Sequence, residues 1–142
     1  MDLKIIVGLL AGALLVGVIF YEQTLEDDYR LPESAAQGPE ALNWLRKSQN
    51  ESALASNRFP ETRDAMSFVQ ELYRAGAKRV VVPNDSITDD GVEVYADALV
   101  VTLPDDPAKR DRVWKLCARE IAREGERPPA STDEKHVLLW WD

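Results

Sequence analysis

Ile5 to Tyr21 reads IIVGLLAGALLVGVIFY, seventeen residues without a charge, and the chain turns polar immediately beyond it. A helix of that length covers roughly 25 Å, the low end of what spans a hydrocarbon core. Phe20 and Tyr21 close the run where an interfacial aromatic belt lies. Gly8 and Gly12 form a small-xxx-small pair of the kind that lets two membrane helices approach. No small residues are placed for cleavage before Glu22, so the run predicts an uncleaved transmembrane signal anchor rather than a removable signal peptide. Lys4 precedes the run and the first base after it is Arg30. The positive-inside rule therefore predicts a single-pass membrane protein with its N-terminus in the cytoplasm and its C-terminal domain outside.

Beyond the run, Glu22 to Gln37 reads as a polar tether, and Pro39-Glu40 opens a short helical pattern that ends in Arg46-Lys47. A compact domain is expected from about Ser52. Its first strand is placed at Ala53–Phe59, although few residues there favour it. Pro60-Glu61-Thr62 then starts a helix with Ala65, Phe68, Val69, Leu72 and Tyr73 on one face and Gly76 as its cap. Lys78 to Pro83 is a β-branched strand, and Asn84 to Gly91 is turn chemistry. Val92 to Leu103 is a second strand whose run Ala98–Leu103 shows no alternation, the mark of a strand covered on both faces. Asp106 and Pro107 start a long helix to about Glu124, and His136 to Trp141 is a terminal strand.

That order, β, α, β, β, α, β, is the split βαβ arrangement. The expected fold is therefore α+β: an N-terminal transmembrane helix followed by a ferredoxin-like (split βαβ) two-layer domain. The divisions are residues 1–21, a tether over 22–37, a short helix over 38–50 and the domain over 51–142.

Charge and rare residues narrow the chemistry. The formal net charge is −8, and Glu22 to Gly38 carries five acids against Arg30 alone, a net of −4. Such a balance stands off anionic lipid and disfavours nucleic acid as a partner. Cys117 is the single cysteine and His136 the single histidine, which rules out an internal disulfide and any Cys/His metal cluster. No cofactor is expected.

The segments SNRF, ELYRAGA, ADALVVTLPDDP and the closing LLWWD together resemble a set of small bacterial proteins with no assigned role. The resemblance covers Ser56 to Asp142. It implies the same domain boundary and no activity.

Four groups of residues are candidates for function. Asp85, Asp89, Asp90, Glu93 and Asp97 concentrate carboxylates as hard cations require, but their spacing matches a calcium loop only in part, and a solvated hairpin accounts for them better. Arg112, Lys115, Arg119 and Arg123 form a basic stripe at helical spacing, able to dock an acidic partner or to serve as an ordinary solvated face. His136 has no orienting group legible from spacing, and Cys117 sits on the apolar face of its helix. Trp140 and Trp141 must point to opposite faces of a strand. One of them then enters the core, and the other emerges on the open face of the sheet, to contact a partner or a second copy or to be covered by Trp44 and Leu45. No catalytic constellation is present. The expected function is a non-enzymatic membrane-tethered interaction module, with a small-ligand or divalent-cation sensor using the 85–97 loop as the alternative.

Overall fold

Apolar spacing builds three helices, which we label α1 (Ala41–Lys47), α2 (Thr62–Ala75) and α3 (Pro107–Arg123). The computed structural model describes residues 31–141, so the membrane span expected at Ile5–Tyr21 lies outside the described residues. Among the described residues no helix is long and apolar enough to cross a membrane. Each helix start is capped by an acid. The Glu40 carboxylate accepts from the amides of Leu42 and Asn43 at 3.0 and 2.9 Å. The Glu61 amide donates to Asp64 at 3.2 Å, and Asp106 accepts from the Lys109 amide at 2.8 Å, just before Pro107. Gly76 ends α2 at φ 117°, a left-handed conformation that glycine adopts without strain.

Five strands follow from the remaining apolar runs: β1 (Arg79–Val81), β2 (Ile87–Asp89), β3 (Val94–Ala96), β4 (Ala98–Thr102) and β5 (His136–Trp140). They make two small antiparallel sheets, one in the order β1-β4-β5 and the other a β2-β3 hairpin. Val80 pairs with Val101 and Val101 with Val137, while Val81 pairs with Val100 and Val100 with Leu138. This register sends Val80, Leu99, Val101, Val137 and Leu139 to the helix-covered face, where they meet Phe68, Val69, Leu72, Val113 and Cys117 in the main core.

The domain is α+β but not ferredoxin-like. A split βαβ needs a first strand between the last two, lying parallel to the central one. Ala53–Phe59 supplies none. Only Leu54 makes a bridge, parallel to Ala96, before Ala55 turns into φ 40° and the amides of Arg58 and Phe59 fold back onto the Ala55 carbonyl. The segment has no β-branched residue to hold it extended. The place is left to β5, which pairs directly with β4 over five residues. Two further expectations change with it. The strand expected across Val92–Leu103 is broken at Asp97 into β3 and β4, and Ile87–Asp89, read as turn, is a strand of the hairpin.

The segment expected to be unstructured tether also has a place. Glu33–Ala36 is a 3-10 turn lying against β4 on the face away from the helices. After it, the Asn84 amide donates to the Gln37 carbonyl at 3.1 Å and the Val82 amide to the Pro39 carbonyl at 3.0 Å, so residues 37–39 line the free edge of β1. Tyr73 locks this corner: its hydroxyl donates to Glu40 at 2.8 Å and accepts from the Val80 amide at 3.0 Å. Burial, with the Glu40 carboxylate beside it, pushes that hydroxyl up to about 12.

Gly38 makes the edge pairing possible. A Cβ there would stand 1.9 Å from the Val82 carbonyl oxygen, a backbone atom that cannot turn away. Gly38→Ala is therefore expected to destabilise the domain by about 1–3 kcal/mol, read from urea unfolding of the full chain in detergent. An unchanged midpoint would show that the edge contact contributes nothing.

Candidate interaction surface

Alternation along β5 separates the two terminal tryptophans. Trp141 is 2 % exposed and packs edge-on against Phe59 at 5.3 Å and Phe68 at 6.3 Å. Trp140 is 52 % exposed on the opposite face, and Leu138, two residues earlier, is 42 % exposed beside it. That far face is not covered by α1, which packs against α2 with Ala41 and Leu45 buried. Its cover is the turn at Glu33–Ala36, and the cover is partial. Val81, Ala98 and Val100 are buried yet stand apart from the main core, while Leu138 and Trp140 remain open. Between them lies a recess of about 340 Å³ walled by Leu31, Ala35, Pro83, Val100, Leu138 and Trp140, with Asp85 and Asp97 also lining it.

The acidic loop does not act as one cluster. Asp85 and Asp97 line this recess, whereas Glu93 lines a separate groove of about 590 Å³ with Trp44, Lys47, Asn50 and Val94. Asp89 and Asp90 are occupied by the hairpin turn. Asp89 accepts from the Gly91 amide at 2.9 Å, and Asp90 from the amides of Val92 and Glu93 at 2.9 and 2.8 Å. Those backbone N–H groups hold the Asp90 carboxyl below the ordinary carboxylate range. Among the described residues no three His, Cys, Asp or Glu side chains come together as a metal-ligand set.

The basic stripe of α3 is largely engaged by neighbouring acids. Lys115 pairs with Asp111 at 2.7 Å, Arg119 with Glu71 at 3.5 Å, and Arg123 with Glu120 at 3.6 Å, while Arg112 is exposed. Glu120 is the surprise. Its helical position reads as solvated, yet it is 1 % exposed and accepts two hydrogen bonds from Arg58, at 2.7 and 3.0 Å. Arg58 in turn stacks 4.6 Å over the Phe59 ring. The buried Trp141 indole N–H also lies by this carboxylate and helps to lower its pKa, without closing a hydrogen bond of ordinary geometry. Burial pushes the Glu120 carboxyl up, but the Arg58 hydrogen bonds and charge, with Arg123, outweigh it and hold the group below its ordinary range. No spacing within the sequence signals a pair joined across sixty-two positions.

The two rare residues are structural in their contacts. His136 is buried, with Nδ1 3.0 Å from the Thr102 hydroxyl and Nε2 3.2 Å from the Glu33 carboxylate. Cys117 is fully buried, and burial pushes its thiol up to about 12. The chain matches no family model, no curated protein and no solved structure.

Arg58→Met removes the charge that compensates Glu120, and the expected loss is about 2 kcal/mol, moderated by Arg119 and Arg123. The pairing stabilises the fold above the ordinary carboxylate range and fades as the pH falls through the lowered folded-state value. The variant should therefore lose most stability near neutrality and converge with the parent in acid, as urea titrations at several pH values can check.

Proposed function

We propose that the protein is a non-enzymatic, membrane-tethered interaction module that offers the far face of its three-stranded sheet to a protein partner. The observation that carries this reading is the side-by-side exposure of Leu138 and Trp140 on a face whose neighbours Val81, Ala98 and Val100 are buried. Tryptophan is among the residues that dominate binding hot spots, and here it stands exposed at the rim of a recess beside an apolar neighbour. Asp85 and Asp97 in the same recess favour a partner segment with an apolar side chain flanked by Lys or Arg.

The tether is supported by the uncharged run at Ile5–Tyr21. An enzymatic reading has less support, because His136 and Cys117 are held in structural contacts. Ion sensing by the 85–97 loop is disfavoured by the commitment of Asp89 and Asp90 to the hairpin backbone.

The test is a photo-cross-linking amino acid at position 140 of the full chain in native membranes. A discrete adduct is expected, and Leu138→Ser should reduce its yield about tenfold or more. An adduct whose mass is twice that of the chain identifies the partner as a second copy. No adduct, or a yield indifferent to Leu138→Ser, rejects the surface.

A further inference from the structure

We propose that residues 31–37 are a displaceable strap, latched through Glu33, that sets how much of the far face is open. The inference rests on the reading of that face as a docking surface, and concerns how access to it is regulated. Three observations carry it.

First, the cover is light. Leu31 and Ala35 wall the recess over the sheet, both only half-buried, and the turn contains no fully buried residue. The helices cover the other face with Phe68, Val69, Leu72, Val113 and Trp114, all of them buried. Apolar stabilisation scales with the area removed from water, so the strap is held far more weakly than the helices.

Second, its two ends are fastened differently. The C-terminal end is pinned by backbone hydrogen bonds from Asn84 to Gln37 and from Val82 to Pro39, with Gly38 closed against Val82. The turn's own backbone bonds are internal, Ala35 to Pro32 and Gln37 to Ser34. Among the described residues the N-terminal end is fixed by one exposed side chain, Glu33, which meets Lys135 Nζ at 2.6 Å and His136 Nε2 at 3.2 Å. This makes Gln37–Pro39 the hinge and Glu33 the latch.

Third, what lies beneath is continuous with the open surface. The register Val81–Val100–Leu138 crosses all three strands, and Ala98 pairs with Trp140. Lifting the strap adds Val81, Ala98 and Val100 to the exposed pair and turns a small recess into a broad apolar face.

Thiol labelling tests this without a partner. Cys117 is the single native cysteine and is fully buried, so the full chain in detergent has a silent background. Val100→Cys places a reporter under the strap. Glu33→Gln in that background should raise its maleimide-labelling rate about threefold, the scale of losing an exposed ion pair, with Cys117 still unreactive. Lys135→Gln should raise the rate less, because the His136 contact still holds Glu33, and adding it to Glu33→Gln should change little, because Lys135 acts on the strap only through Glu33. A labelling rate that Glu33→Gln leaves unchanged overturns the strap. So does parallel acceleration of Cys117, which would make the opening global, or full additivity of the two variants. Labelling reports opening alone, whereas the adduct at position 140 reports docking. Loss of the adduct with labelling intact rejects the docking reading and leaves the strap standing.

Discussion

Strand β4 is apolar on both faces, and a three-stranded sheet offers only one face to a pair of helices. The rest of the domain answers that constraint. Leu99 and Val101 are buried beneath α2 and α3, as in any two-layer α+β domain. Ala98 and Val100 point the other way and need a second cover, which the chain supplies by returning its own N-terminal segment across the sheet. That return runs along the β1 edge and requires a backbone approach so close that residue 38 can carry no side chain. The same approach shields the β1 edge, one of the two edges such a sheet exposes.

The two covers differ in kind, and the difference organises the molecule. The helix side is dense: Trp141 meets Phe59 and Phe68 edge-on, the two phenylalanine rings lie tilted against each other, and a bidentate Arg58–Glu120 pair neutralises the buried Glu120 carboxylate. Removing Arg58 strands the buried Glu120 charge, whereas removing Glu120 leaves Arg58 with access to solvent. The strap side is sparse, with Leu31 and Ala35 half-buried over the recess and the exposed Glu33 meeting Lys135 and His136. The helix-covered face is thus the more heavily buried of the two, and the strap side the more lightly covered.

Much of the local structure was legible in the sequence because its causes are local. The apolar spacing of α2, the caps at Asp106 and Gly76, the run at Ala98 and the alternation at Trp140–Trp141 each depend on residues within a few positions of one another. Their faces follow from helical and strand periods alone. The ferredoxin-like arrangement went wrong at the one segment with little local preference. Ala53–Phe59 could be named a strand only by analogy with a repeating order, and its backbone instead turns at Ala55. Ile87–Asp89 was hidden for the opposite reason: turn-forming residues on both sides masked a short strand that exists because Ala96, Tyr95 and Val94 lie opposite it.

The sequence by itself determined the uncharged N-terminal run, the acidic balance, the three described helices and the opposite facing of Trp140 and Trp141. Tertiary structure decided which strands are neighbours, what covers the second face of the sheet, and that Glu120 is buried against Arg58 while Glu33 reaches Lys135 and His136. These decisions join residues sixty to a hundred positions apart. No periodicity records such separations, because they are set by whichever packing removes the most apolar surface from water while leaving each buried charge a partner.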